Sequence, residues 1–277
     1  LERIEDVVLD DSHFTQPLVI PGVSSSAEPY DAPNGALCVN FNTVNFRKEN
    51  GVYTSAESQT PLLPFALPRV QRSGLDAGRI VLSHKENECT LYAGHLFAYF
   101  LQQAGLAPTG KFLLGKVDEQ NDRLVYRHYS RFTLEEIIIR LLEHSNNFTT
   151  NQILIAAGID AFGAPGTLPK GVRAATAYAR GVLQLKHFYL SEGSGISRDN
   201  RITALGLDRV LEGFEPYRYL MRKQGRSRYK TGTLYGISTR AGYIESEDGS
   251  YYRFAVLINT RGKSTDRIMR KLLKALP

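Results

Sequence analysis

The stretch from residue 228 to the C-terminus constrains the fold more than any other part of the chain. Three strand-like segments follow one another there, at residues 228–234, 238–245 and 251–259. The last two are joined through Asp248-Gly249, a strong hairpin signal because both residues tolerate the backbone angles of a tight turn. A helix follows from about Thr265, with Ile268, Met269, Leu272, Leu273 and Leu276 on one face. Successive strands closed by an amphipathic helix predict an α+β fold, an antiparallel sheet with helices packed on its faces, rather than alternating βαβ units.

Upstream, the pattern falls into two parts. The first 90 or so residues read as short strands and turns. A short strand is expected over residues 6–9 and a Pro/Ser/Gly-rich loop over 17–35. Alternating β structure, with room for a bulge, is expected over 36–46, an irregular Pro-rich stretch over 58–68, and strand pieces at 78–83 and 89–92. From about residue 92 the periodicity becomes helical. Leu96, Phe97, Phe100 and Leu101 mark one helical face, closed by Gly105, and residues 124–129 read as a strand. The clearest helix start is at Thr133, with Glu136 three residues on as a capping box and Phe132 and Ile137 placed as a hydrophobic staple. That helix is predicted to stop near His144, because Ser145-Asn146-Asn147 is a poor helical stretch. Further helices are expected over 150–157, ending at Gly158, over 171–183, and over 203–211 with Thr203 as N-cap.

With 42% hydrophobic and 22% charged residues, the chain has an ordinary globular composition, which excludes disordered, collagenous and disulfide-scaffold classes. No apolar run approaches the roughly 18 residues needed to span a bilayer. The net charge of +6 is unevenly spread: residues 1–110 hold 7 Lys/Arg and 12 Asp/Glu, residues 111–277 hold 27 and 16. A basic half raises nucleic acid, an anionic surface or an anionic substrate as partners, yet no RRM, KH or zinc-finger signature accompanies it. Two cysteines, Cys38 and Cys89, cannot form a Cys-rich zinc site, and the six histidines form no His-x-x-x-His pair. Spacing leaves open whether the two thiols pair.

Three stretches carry candidate chemistry. If Ser145-Asn146-Asn147 is extended, Ser145 and Asn147 project a hydroxyl and a carboxamide in one direction. Lys230-Thr231-Gly232-Thr233 places a cation, two hydroxyls and a residue without a side chain on one strand; at a sheet edge such a strand can pair with an extended peptide, and Thr231 and Thr233 can bind a carboxylate. In Glu192-Gly193-Ser194-Gly195-Ile196-Ser197-Arg198-Asp199-Asn200-Arg201-Ile202-Thr203, two glycines permit a tight loop around Ser194, which Arg198 and Arg201 can anchor. Taken alone, each stretch reads first as an ordinary turn, strand or loop.

In this order and spacing the set resembles the penicillin-binding proteins of the D-Ala-D-Ala carboxypeptidase type, whose group carries Ser-x-x-Lys, Ser-x-Asn and Lys-Thr-Gly. The stretch from Gly193 to Thr203 is similar to that of the DacB-like, peptidase S13 branch, the low-molecular-mass class C proteins. So are Val8-Leu9-Asp10-Asp11-Ser12-His13-Phe14 and the segment from Tyr30 to Asn42, which resembles part of that branch's inserted domain. The resemblance implies a β-lactamase/transpeptidase-like domain over residues 91–277 and part of an inserted β-rich domain over 1–90. It implies a periplasmic or extracytoplasmic serine carboxypeptidase, with endopeptidase action on cross-links also open, acting on peptidoglycan peptides that end in D-Ala-D-Ala. β-Lactams would be inhibitors, and no cofactor, metal or nucleic acid is implied; peripheral membrane association and oligomeric state stay open.

Residue by residue, the resemblance makes Ser145 the proton relay to the leaving amine and Asn147 the amide that holds substrate and the nucleophile's lysine. Lys230 becomes the positive charge beside Ser145 and the terminal carboxylate. Thr231, Gly232 and Thr233 line the substrate, the N–H of Thr233 giving half an oxyanion hole, and Ser194 shapes the loop beneath. One departure is serious: no Ser-x-x-Lys precedes Ser145. Ser227-Arg228-Tyr229-Lys230 matches only formally, since its lysine already belongs to the third motif, and Thr167-Leu168-Pro169-Lys170 lies in the wrong order. The chain opens at Leu1 within the insertion-like region and without Met, so it is expected to be a piece of a longer protein and inactive by itself. The rival readings are a non-catalytic cell-wall-binding pseudoenzyme, a β-lactamase or esterase of the same fold, and a nucleic-acid binder using the basic half.

Overall fold

The computed structural model describes residues 3–276. In chain order the elements are β1 (Val7–Leu9), β2 (Thr43–Glu49), β3 (Val52–Ser55), α1 (Leu67–Ser73), β4 (Ala77–Val81), α2 (Glu88–Gln103), β5 (Phe112–Leu114), α3 (Leu134–His144), α4 (Asn147–Phe162), α5 (Leu168–Gly181), β6 (Phe188–Tyr189), β7 (Arg201–Ile202), α6 (Ala204–Phe214), β8 (Lys223–Gln224), β9 (Ser227–Leu234), β10 (Ile237–Glu245), β11 (Tyr251–Ile258) and α7 (Asp266–Ala275). They form two compact units. The first comprises residues 1–127 and 147–171; the second comprises 128–146 and 172–277.

In the first unit β2 pairs antiparallel with β3 and β4. This small sheet packs on α1 and α2 through a core that includes Val44, Phe46, Val70, Ile80, Tyr92 and Leu96. Strand β1 pairs with β5 in parallel, the one departure from an antiparallel plan among the described sheets. Residues 89–92, expected as a strand, belong instead to α2. So short a segment, Cys-Thr-Leu-Tyr, fits either period, and the helical one wins because it buries Tyr92, Ala93 and Leu96 together. The boundary expected near residue 90 therefore falls inside a helix whose side chains share the core of β2 and β4.

Residues 36–46 are not one continuous strand. Asn40, Phe41 and Asn42 all have left-handed backbones, with φ of 49°, 60° and 55°, and β2 begins only at Thr43. Asparagine tolerates this region better than most residues, and both amides are held by groups farther along the chain: Asn40 Nδ2 donates to Thr60 Oγ1 (2.8 Å) and Asn42 Nδ2 to Pro33 O (2.8 Å). Residues 124–129 are irregular and exposed, not a strand, since no neighbouring edge takes up their main-chain groups. Cys38 and Cys89 are free thiols, and burial pushes them up to about 11 and about 12.

Helix α4 runs through Gly158 rather than ending there. The missing side chain serves a crossing: a methyl on Gly158 would lie 2.4 Å from Gly171 N, and one on Gly171 would lie 2.4 Å from Leu154 O. The residue that sequence reads as a stop is a contact point.

The second unit is built on the four-stranded antiparallel sheet β11-β10-β9-β8. Ala241, Gly242, Tyr243 and Ile244 of β10 are all buried, so the sheet is covered on both faces. On one face Ala241 and Tyr243 pack with Leu211 of α6 and Leu142 of α3. On the other, Ile244, Phe254 and Val256 pack with Met269 of α7. Burying each such aliphatic side chain is worth about 1.5–3 kcal/mol, so the face choice dictated by the two-residue period is strongly enforced. The caps read from sequence are present: Thr133 and Glu136 form the reciprocal capping box, and Thr203 accepts from Gly206 N at 3.0 Å. Phe132 is exposed, with the Arg140 guanidinium 5.2 Å above its ring.

Candidate functional site

The site is assembled in the second unit from the end of α3 and the edge of its sheet. Ser145 is the C-cap of α3, left-handed at φ 54°, ψ 47°, its N–H donating to Leu141 O at 2.8 Å. The expected extended Ser-x-Asn stretch is thus a helix-to-helix corner: one left-handed residue turns the chain, and Asn147 already opens α4. Asn147 falls in the first unit, where its Nδ2 donates to Tyr30 O at 3.5 Å. In the same unit Asn34, 4% exposed, donates to Phe148 O (2.9 Å) and Gln152 Oε1 (3.0 Å), tying the 30–42 segment to the start of α4.

Lys230, 85 residues after Ser145, meets it directly: Nζ donates to Ser145 Oγ, and also to Thr231 O at 3.1 Å. Burial, which disfavours the ammonium, lowers the Lys230 pKa below the usual lysine value. A lysine with a weakened hold on its proton, bonded to a serine hydroxyl, is equipped to pass a proton through that hydroxyl.

Register fixes what the rest of β9 offers. The two-residue loop Tyr235-Gly236 closes on the pair Leu234–Ile237. Hydrogen-bonded and non-bonded pairs alternate from there, so Gly232–Thr239 and Lys230–Ala241 are bonded pairs. The main-chain groups of Thr231 and Thr233 then point away from β10. On that side β8 pairs only with Ser227 and Arg228, which leaves residues 229–234 as an open edge. Side chains alternate too: Lys230 and Gly232 share the face of Ala241, while Thr231 and Thr233 share the α7 face. A methyl on Gly232 would lie 2.6 Å from Thr239 Oγ1.

The Ser194 loop is organised by a residue whose role the sequence does not announce. Glu192 is fully buried and its carboxylate accepts from Ser194 N and Oγ (both 2.6 Å), Gly195 N (2.7 Å), Ser197 N (3.3 Å) and Asn200 Nδ2 (2.7 Å). The Ser194 hydroxyl is thereby engaged within its own loop. Arg198 carries the loop to the site, donating to Tyr235 O in the β9–β10 turn at 2.7 Å, while Arg201 bonds back to Arg198 O and Asn200 O. The position of Glu192 immediately before Gly-Ser-Gly was the available signal: a tight loop turns several N–H groups inward, and a carboxylate at its start can collect them.

A serine–lysine pair beside an open strand edge with unpaired N–H groups is the arrangement that acyl transfer on a peptide calls for. The chain belongs to the D-Ala-D-Ala carboxypeptidase 3 (S13) family, whose model matches residues 2–218. Among curated proteins it is 25% identical over 274 residues to a D-alanyl-D-alanine carboxypeptidase of Actinomadura sp. (strain R39), covering 86% of this chain and 50% of that protein. It is 25% identical over 223 residues to D-alanyl-D-alanine carboxypeptidase DacB of Haemophilus influenzae, covering 70% of this chain and 45% of the relative. The chain therefore spans about half the length of the curated relatives it matches. Its fold is similar to the crystal structure of penicillin binding protein 4 (dacB) from Haemophilus influenzae, with a TM-score of 0.76 at 16% identity over 98% of this chain and 74% of that one. Among the described residues no helix is long and apolar enough to cross a membrane.

Proposed function

We propose that this chain carries the second and third motifs of a serine-type D-Ala-D-Ala carboxypeptidase that works outside the cytoplasm on peptidoglycan stem peptides. The observation that carries the reading is the Lys230–Ser145 hydrogen bond beside the open edge of β9, within a member of the S13 family. The attacking serine and its lysine, a Ser-x-x-Lys, would come from outside these 277 residues. The penicillin-binding part takes in the second unit, and the inserted β-rich part lies within the first.

In the proposed reaction the peptide adds to the edge of β9 as an extra strand, its main chain facing Thr231 and Thr233. The oxygen of the external serine attacks the penultimate D-Ala carbonyl as its proton passes to the lysine of the same motif. The N–H of Thr233 stabilises the developing oxyanion. Ser145 passes a proton to the leaving D-Ala amine, and its hydroxyl, held by Lys230, is replenished by the proton taken from the attacking serine. Water then cleaves the acyl-enzyme ester and regenerates the serine. β-Lactams would acylate the same serine as inhibitors. Cleavage of cross-linked peptides, an endopeptidase action, uses the same steps on a longer leaving group.

The test is made on the full-length protein. Incubation with a fluorescent penicillin should label it covalently, and a peptide ending in D-Ala-D-Ala should release D-Ala. Lys230→Ala should slow both by about 100-fold or more, in line with the loss of a proton-transfer group. A protein that takes no label and releases no D-Ala is not an enzyme of this kind and favours cell-wall binding alone. Faster turnover of a β-lactam than of the peptide favours a β-lactamase.

A further inference from the structure

The first unit holds a cavity of its own, of about 310 Å³, opening among residues 16–25, 31–42 and 84–90. That volume is at the small end of the range for ligand pockets. Part of its wall is apolar, with Pro17, Ile20, Val23 and Leu37. The rest is rich in acceptors. Asn42, 2% exposed, belongs to this wall. Its Nδ2 is used by Pro33 O at 2.8 Å, which fixes the amide, and its Oδ1 is buried with no partner. An unpaired buried acceptor is costly, and a ligand that brings a donor removes that cost.

Two carboxylates line the same cavity, Asp11 and the buried Asp31. Asp31 accepts from Ser24 N (2.9 Å) and from the hydroxyls of Ser24 and Ser26 (both 2.6 Å). Asp11 accepts from Leu37 N (2.7 Å), Thr90 Oγ1 (3.0 Å) and Gln16 Nε2 (3.2 Å). Burial works to raise the Asp31 pKa, but the bonds from Ser24 and Ser26 prevail and hold it below the ordinary carboxylate value. The arginines of this unit pair elsewhere, Arg69 with Glu88 and Arg79 with Glu57. Among the described residues neither Asp11 nor Asp31 has an ion-pair partner, although buried charge is ordinarily paired. Of the groups at the mouth, Lys85 and Glu86 are both exposed and offset each other, and the His84 ring is engaged with Ser26 O at 2.7 Å. The interior keeps a negative potential and an idle acceptor beside an apolar wall.

We propose that this cavity binds a small aliphatic ammonium ion: the alkyl part lies against Pro17, Ile20, Val23 and Leu37, the ammonium donates to Asn42 Oδ1, and Asp11 and Asp31 supply the countercharge. An ammonium has donors and no acceptor, which matches a wall whose free group is an acceptor. A carboxylate is repelled here, and an alcohol leaves the charge unmatched. The inference stands on these residues alone and is independent of the proposed carboxypeptidase function.

The full-length protein is titrated at neutral pH with pentylammonium, 1-pentanol and pentanoate, and binding is followed by ligand-observed NMR. Pentylammonium should bind about tenfold or more tightly than pentanol, in line with a charge-assisted bond, and pentanoate should not bind. Asp31→Asn should weaken the amine by about fivefold or more and change the alcohol by less than about twofold. Because the amine-to-alcohol ratio is taken within one protein sample, partial loss of folding cancels. Lys85→Glu alters only an exposed position at the mouth and should tighten the amine by about twofold or more. The inference is overturned if the wild type binds amine and alcohol equally, if it binds neither, or if the amine-to-alcohol ratio is the same in both variants as in the wild type.

Discussion

Lys230 has two competing demands on it. Burial disfavours its charge, while Ser145 Oγ and Thr231 O, both acceptors, favour keeping the protons in place; burial prevails and the pKa falls. The folded state then binds fewer protons than the unfolded chain between the lowered value and the ordinary lysine value. Stability accordingly rises with pH through that window, and below it the cost of the buried ammonium is fully present. For activity the same shift predicts an alkaline fall in acylation that begins below the range of an exposed lysine. Lys230→Arg, which keeps its charge, should abolish that limb while acylating more slowly. A wild-type limb at or above the ordinary lysine range would contradict the buried environment. Glu192 offers a second residue-scale prediction. Replacing it by Ala leaves at least three main-chain N–H groups and the Asn200 amide without their acceptor, so stability should drop by roughly 3 kcal/mol or more in urea unfolding. Glu192→Gln should lose part of that, since one carboxamide end turns a donor towards donors. A neutral Ala variant would show that the loop does not depend on this carboxylate.

The helix elements are held by two different devices. At Thr133 the sequence itself specifies the start, and the side-chain bonds to Glu136 are local and indifferent to the rest of the molecule. At Gly158 the opposite holds: nothing local distinguishes a helix-ending glycine from one that admits a neighbouring backbone. Gly158→Ala gains about 1 kcal/mol of helix propensity, yet its methyl would meet the main chain at Lys170 and Gly171 rather than a movable side chain. The clash wins, and a net loss of about 1–2 kcal/mol is expected from the shift of the urea midpoint at unchanged slope. A variant as stable as the wild type would mean that the two segments do not approach so closely. The same contrast explains the strands. The segments around β9, β10 and β11 and the Asp248-Gly249 turn are legible because alternation and turn chemistry agree along the chain. Residues 124–129 carry the same alternation but no partner, and residues 89–92 take the helical alternative that their short apolar run allows.

Across the whole molecule, several cations in the second part of the sequence are engaged inside their own unit. Arg222 pairs with Glu143, Lys223 with Glu245 and Arg253 with Asp208. Arg226 and Arg228 donate to main-chain carbonyls. What distinguishes the site is the placement of Lys230 on β9 against Ser145. The sequence by itself determined the α+β plan, the three C-terminal strands, the principal caps and the identity of Ser145, Asn147, Lys230, Thr231, Gly232 and Thr233 as candidates, because periodicity, turn chemistry and motif order are properties of neighbours along the chain. Only the tertiary structure decided that Ser145 is a left-handed corner, that Glu192 gathers the Ser194 loop, and that Asn42 is buried with an unused acceptor. Each of these depends on groups distant along the chain, or on a turn that only a fixed backbone defines. Burial then sets the worth of each bond, and no local pattern encodes that.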